Sequence, residues 1–416
     1  MSADGLDVAV VGAGIVGVSC ALFLQADGHR VTLIDRAAPG EGTSFGNAGV
    51  LSASSILPIA TPGTLARVPS MLLDRHAPLR LRWTHLPRMA NWLRHFVQAS
   101  RPGRVEMHAH AIRALVEPAG RAHDRLIQRC GAGDLVRSGG AFKLACDAAF
   151  FDQTTRLERH FLERYDIPHA VLSGDEVREH EPAVSDAVVR GLHLEANRRV
   201  TSPVAYTRRM VETFLAEGGC VRREEVWGLD LMDGTGLVTA SGRHPFDRVV
   251  IAAGAFSKKL AAEAGHRVPL DTERGYHVEV PLPAHPPVHA MQALEHGFFM
   301  APLEHGLRIT SGVELAGLRA APDYSIAERL VPLAGRYVRG LEDTVRSRWL
   351  GFRPSLPDGL PVIGASRRHP QILFAFGHQH IGLTLGPITG RIVADLVAGR
   401  DPGIDLGPYA PDRTFH

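Results

Sequence analysis

Three glycines and an aspartate near the start of the chain are the residues whose spacing speaks most directly of chemistry. Gly12, Gly14 and Gly17 stand in G-x-G-x-x-G order within VAVVGAGIVG, and Asp35 closes the next apolar run, VTLID. In that order the first glycine permits a tight turn and the second lets backbone approach a pyrophosphate. The third lets a helix lie close on a strand, and the acid meets ribose hydroxyls. Ile15 and Val16 open the helix after the turn, whose free N–H groups and positive dipole end suit phosphate. A dinucleotide site is expected here. Which dinucleotide, and what is done with it, this motif leaves open.

Such residues need a frame. Val8, Val10 and Val11 read as a buried parallel strand, so strand, glycine turn, helix and second strand form one βαβ unit. The 416 residues exceed what one core holds, so two domains are expected. With 45% hydrophobic and 22% charged residues the chain is of the ordinary soluble globular kind. A net charge of +2 gives no electrostatic footprint for nucleic acid. Cys20, Cys130, Cys146 and Cys220 are scattered without C-x-x-C spacing, which points to free thiols in a reducing compartment and to no metal centre. The apolar stretch Val8–Leu24 resembles a signal-peptide core, but acids precede it rather than basic residues, so a cytoplasmic chain is expected.

Along the chain, RAAPGEGTSFGNAGVLSASS is too polar and glycine-rich to build a core. Its small residues suit backbone laid against a flat or phosphorylated ligand. Residues 62–130 read as helical, broken early by prolines. There Trp83, Trp92 and Phe96 lie among Arg80, Arg82, Arg88, Arg94 and His95, a pattern that suits packing against the rest of the protein or, alternatively, a peripheral contact with the inner membrane face. A β-like run spans 139–146. Ser202-Pro203 starts a helix that ends near Gly218, a strand follows at 220–226, and FDRVVIAA is a buried strand ending at Gly254. Alternating runs over 267–313 are antiparallel strands with one wet face. A helix near 325–339, a strand at 372–376 and a final amphipathic helix to about 398 complete the pattern.

Four separated motifs, VVGAGIVG…LIDR, GTSFGNAG, VIAAGAFS and GFRPSLPDGLPVIG…FGHQHIGLTLGPITG, resemble, in this order, the FAD-dependent D-amino-acid oxidase superfamily. GTSFGNAG and the basic helical insert are most similar to its bacterial D-amino-acid dehydrogenase branch, and the ending to D-hydroxyproline-oxidising relatives. The resemblance implies an α/β protein: a Rossmann-like FAD-binding domain (1–60, 185–265 and 345–410) interleaved with an α+β, antiparallel-sheet substrate domain (61–184 and 266–344). It implies non-covalent FAD, since no cysteine follows Cys220. Asp35 would hold the ribose and Arg36 lie near the adenine. Thr43 and Ser44 would meet the pyrophosphate and ribityl region, and Asn47, Ala48 and Gly49 run along the isoalloxazine ring. Val226 would read the adenine edge through its backbone, and Ala253 and Gly254 make a second close approach. Gly377, Gly382, Leu383 and Thr384 would stand at the reactive end, where helix N–H groups stabilise negative charge.

For the substrate, the resemblance implies that Arg353, in GFRP, grips a carboxylate with its guanidinium fork. It implies a role for His380, whose carbonyl would accept from the substrate amine, while His378 is structural. Tyr276 and His277, in ERGYHVEV, lie on a strand that roofs the substrate in relatives. Alternation aims only one of them inward, and Tyr276 is preferred as a donor to the carboxylate. The implied reaction is hydride transfer from Cα of a D-amino or imino acid, D-proline or cis-4-hydroxy-D-proline among them, to flavin N5. Electrons would leave to a quinone, an electron carrier or O2. An O2-using glycine or sarcosine oxidase, and an FAD subunit of a hetero-oligomeric dehydrogenase, are the alternatives, with homo-oligomers also open.

Overall fold

The computed structural model describes residues 5–73, 78–232 and 234–416. At its centre is a six-stranded sheet in the order Cys220–Arg223, Arg30–Asp35, Asp7–Val11, Arg248–Ile251, Ile372–Phe376, Val362–Ala365. The first five are parallel and the last antiparallel. Parallel strands buried on both faces should be apolar throughout, and Val8, Ala9 and Val10 have no exposed surface. Burying such a valine stabilises the fold by about 1.5–3 kcal/mol.

Helix Ile15–Ala26 follows the glycine turn and lies against the last helix, Gly382–Val397. Glycines set their distance: a Cβ on Gly390 would stand 2.6 Å from the carbonyl oxygen of Ser19. Helix Pro203–Ala216 also packs on Ile15–Ala26, and its cap is the expected one, with the Ser202 hydroxyl accepting from Ala205 N–H.

The second sheet has ten strands. Its spine is Asp271–Val280 paired antiparallel with Ser347–Ser355 on one side and with Gly306–Thr310 on the other. It is not purely antiparallel, because Ala290–Ala293 pairs parallel with Ala141–Ala145, and Val313–Leu315 with Leu79–Leu81. Arg190–Leu194 and Ser347–Ser355, which fall within the expected FAD-binding segments, both hydrogen-bond into this second sheet. The expected helix near 325–339 is two short ones, Ser325–Glu328 and Val331–Ala334. Among the described residues of 62–130 there are three helices, Pro62–Leu73, Leu86–Ala99 and Pro102–Arg129, with strand Leu79–Leu81 between the first two. Trp92 and Phe96 stack at 5.1 Å and pack beside Leu315, whereas Trp83 stays exposed. Among the described residues no helix is long and apolar enough to cross a membrane.

Candidate active site

A cleft of about 1640 Å³ runs from the glycine turn along the carboxyl ends of the parallel strands. Gly12, Gly14, Ile15, Val16, Asp35 and Arg36 line its start. Gly12 has φ +107, and a Cβ there would lie 2.4 Å from the Ala252 oxygen; a Cβ on Gly17 would lie 1.8 Å from the Gly12 oxygen. Both positions therefore require glycine, for the turn and for the helix-to-strand approach. The Asp35 carboxylate ties the turn down: Oδ2 accepts from Ala13 N–H at 2.7 Å and Oδ1 from Ala37 N–H at 2.9 Å. Each oxygen keeps acceptor capacity toward the cleft. Arg36 stacks 4.0 Å over the Phe256 ring, and Val226, Ala253 and Gly254 also line the cleft. Val226 lies beyond the end of its strand, which stops at Arg223, so its backbone is free of the sheet ladder.

The GTSFGNAG segment crosses from this wall to the second sheet. Ser44 Oγ accepts from Ile15 N–H at 3.0 Å, satisfying an orphan donor of the helix. Thr43 Oγ1 donates to the Phe352 carbonyl at 2.9 Å, joining the segment to the strand that carries Arg353. Asn47 Oδ1 accepts from Gly49 N–H, Gly49 turns at φ +78, and Ala48 packs against Ala290, Ala301 and Leu303. Arg308, unmarked by any motif, anchors the whole turn. Its Nη1 donates to the Phe45 and Asn47 carbonyls at 2.7 and 2.8 Å, while Glu279 accepts from its Nε and Nη2.

Arg353 sits half-buried on the same sheet face. Its guanidinium donates to the carbonyls of Gly312 at 2.8 Å and Ser311 at 3.3 Å, where the neighbouring strand is interrupted. Space for it is made by Gly275, whose Cβ would fall 2.4 Å from the guanidinium carbon. Directly across the strand pair is buried Glu273, held by the Ser355 hydroxyl at 2.7 Å. Burial raises the pKa of this carboxyl, opposed by Ser355 and by the Arg353 charge. His380, an exposed residue, has its pKa lowered to about 4 by desolvation, with the Arg353 charge and then Lys143 contributing. Gln379 beside it holds φ +45, uncommon for a side-chain-bearing residue, secured by Nε2–H to the Leu356 carbonyl at 3.1 Å. Gly377 turns at φ +89 just before.

The expected role of Tyr276 is corrected. Tyr276 points to the opposite face, into the core with Met291, Met300 and Ile309, and its hydroxyl donates to Glu314 at 2.6 Å. His277 is on the cleft side of the sheet but does not open onto it. Its ring is stacked on Trp349 at 5.0 Å, with Phe45 beyond, and only 1% of the residue is exposed. Tyr276 instead serves the loop that lines the far end of the cleft, accepting from Asp323 N–H at 3.2 Å beside the Arg274–Glu314 pair. Tyr276→Phe is expected to leave kcat/KM within about threefold of the parent and to cost stability, since a hydrogen bond to a charged group is worth about 1.5–3 kcal/mol. Kinetics with thermal unfolding checks both; a hundredfold loss of kcat/KM would return Tyr276 to the substrate.

His378 is buried, bonded to Thr389 Oγ1 at 2.9 Å, and burial pushes its pKa down to about 3. A histidine kept neutral in the fold takes up protons on unfolding, so its stabilising effect is complete above the unfolded value of about 6.5 and is lost as pH falls toward about 3. The melting temperature should therefore decline below pH 6.5, and His378→Gln should flatten that decline; an unchanged slope would remove His378 as a source.

The last helix closes the site. Gly382 and Leu383 line the cleft, and Thr384 Oγ1 accepts from Ser52 N–H at 2.9 Å. Glycine-permitted backbone approach, a free helix N-terminus and two walls built from segments far apart in sequence fit an extended dinucleotide such as FAD.

Comparisons with known proteins agree. The family model described as FAD dependent oxidoreductase (DAO) matches residues 7–396. The chain is 37% identical to a D-amino-acid oxidase of Bradyrhizobium diazoefficiens, covering 99% of each. It is 30% identical to a D-amino acid dehydrogenase of Paramagnetospirillum magneticum, covering 98% of this chain and 99% of the other. Among solved structures it resembles glycine oxidase from Geobacillus kaustophilus, with TM-score 0.73, 24% identity and 99% of each chain covered. It also resembles L-proline dehydrogenase from P. horikoshii, with TM-score 0.75, 17% identity, and 98% and 97% covered. At those identities the structural likeness concerns the fold.

Proposed function

The chain belongs to the DAO family of FAD-dependent oxidoreductases, and from that membership we propose that it oxidises the Cα–N bond of a D-amino or imino acid. The observation that carries this reading is Arg353, fixed by the Gly312 and Ser311 carbonyls on a strand whose adjoining residues, Phe352 and Pro354, line the cleft that leads from the nucleotide turn. FAD, when bound, supplies the two-electron acceptor for the hydride leaving Cα. The protein's residues supply position. Arg353, half-buried and already fixed by two backbone carbonyls, offers its remaining N–H groups to the substrate carboxylate. The His380 carbonyl takes an amine N–H. Because His380 and His378 stay neutral at ordinary pH, they add no positive charge to repel the amine. An amine that enters unprotonated has shed its extra proton to solvent, so no dedicated base is needed. The imino acid then leaves as a cyclic imine or is hydrolysed to a 2-oxo acid and ammonia.

Similarity to D-amino-acid oxidase and dehydrogenase supports the D configuration. The GHQHIG turn favours a cyclic substrate such as D-proline or cis-4-hydroxy-D-proline. Anaerobic bleaching of the FAD absorbance across D-amino acids, both prolines, glycine and N-methylglycine tests this. Bleaching by D-amino acids is expected; bleaching by glycine and N-methylglycine alone overturns it. Turnover in air against turnover with a quinone under argon identifies the acceptor.

A further inference from the structure

The last helix contains a defect at its functional end. In an α-helix the carbonyl of residue 383 is bonded by the N–H of residue 387, but that residue is Pro387, which has no N–H and whose ring crowds this carbonyl. The missing donor comes from another helix. His123, on Pro102–Arg129 and 1% exposed, places Nε2 3.1 Å from the Leu383 carbonyl and 3.1 Å from that of Thr384. Carbonyls only accept, so Nε2 carries the proton. The other ring nitrogen, Nδ1, is 3.0 Å from the hydroxyl of fully buried Tyr206. With the imidazole neutral, its pKa pushed by burial to about 4, Nδ1 accepts from Tyr206 and the tautomer is fixed. The bonds thus run in one direction, from Tyr206 through His123 to the turn that lines the cleft.

We propose that His123 and Tyr206 are positioning residues for the FAD-binding turn Gly382–Thr384, supplying from outside the helix the hydrogen bond that Pro387 removes. A carbonyl that is bonded polarises its own peptide, which strengthens the N–H donors of the same turn. His123 also lines a separate cavity of about 330 Å³, together with Ser52 and Thr384. The inference rests on the reading that the turn faces the reactive half of FAD.

The test uses FAD affinity of the apoprotein and sulfite affinity of the holoenzyme. Sulfite adds to bound FAD and leaves negative charge that such donors stabilise, and neither titration needs a D-amino acid. A failed substrate panel would therefore leave this result readable. His123→Leu is expected to weaken sulfite binding about tenfold, the size of one net hydrogen bond, and Tyr206→Phe to weaken it less. Adding Pro387→Ala to His123→Leu restores a backbone N–H for the Leu383 carbonyl and should recover most of the loss. Unchanged sulfite and FAD affinity in both single variants, or a loss that Pro387→Ala does not relieve, overturns the proposal. If His123→Leu does not fold, Tyr206→Phe with and without Pro387→Ala gives the same comparison.

Discussion

Replacing Arg353 by alanine is expected to lower kcat/KM for the best D-amino acid by about a hundred- to a thousandfold, because a buried carboxylate that loses its charged partner forfeits about 2–5 kcal/mol. The loss should fall on KM and kcat together if, as proposed, Arg353 both holds the substrate and aims its Cα–H. Lysine is expected to recover only part of it. A point charge cannot keep two bonds to the Ser311 and Gly312 carbonyls and still present a fork to the ligand. Gly275→Ala should behave as a weaker form of the same lesion, because the added methyl displaces the guanidinium without removing its charge. Steady-state kinetics of the three variants orders them; an Arg353→Ala enzyme with parental kcat/KM would move the carboxylate site elsewhere.

The second large effect concerns the cofactor. Gly12→Val is expected to yield protein that retains no FAD through purification, with affinity lowered by more than about a hundredfold. Left-handed backbone in a β-branched residue and overpacking each cost about 1–3 kcal/mol, and at Gly12 both apply, with φ +107 and a carbonyl oxygen 2.4 Å from the added carbon. Gly28→Ala is the internal control. Its φ of +85 is also left-handed, but it lies outside the cleft and nothing stands within 4 Å of the new methyl, so only the backbone term of about 1–2 kcal/mol remains. FAD content after gel filtration and titration of the apoproteins measures both. Equal FAD retention in the two variants would show that steric approach at the turn is not what the first glycine provides.

These two sites differ in how they were legible. The nucleotide turn was readable because its demands are local: Gly12, Gly14 and Gly17 serve one turn and one helix start, and their spacing is set by backbone geometry within a single βαβ unit. The strand at 372–376 and the capped helix at 203 are legible through apolar pattern and cap chemistry, whereas Arg353 stands out only through a family motif. Tyr276 and His277 show the limit. Period-two alternation says that they face opposite ways, but which face meets the cleft is set by what packs on the sheet, and here helices of residues 325–334 cover the Tyr276 side. The same holds for the domain edges at Arg190–Leu194 and Ser347–Ser355, whose partners are chosen by pairing across the sheet rather than by neighbours in sequence.

By itself, then, the sequence determined that a dinucleotide is bound and which glycines shape its turn, since both are written in residue type and short spacing, while Arg353 stands out only through a family motif. Only the tertiary structure decided that Arg308 holds the GTSFGNAG turn, that Gly275 makes room for Arg353, and that His123 mends the helix at Pro387. Those are contacts between segments separated by up to 263 residues. Their energies depend on burial and direction, and neither exists until the chain has folded.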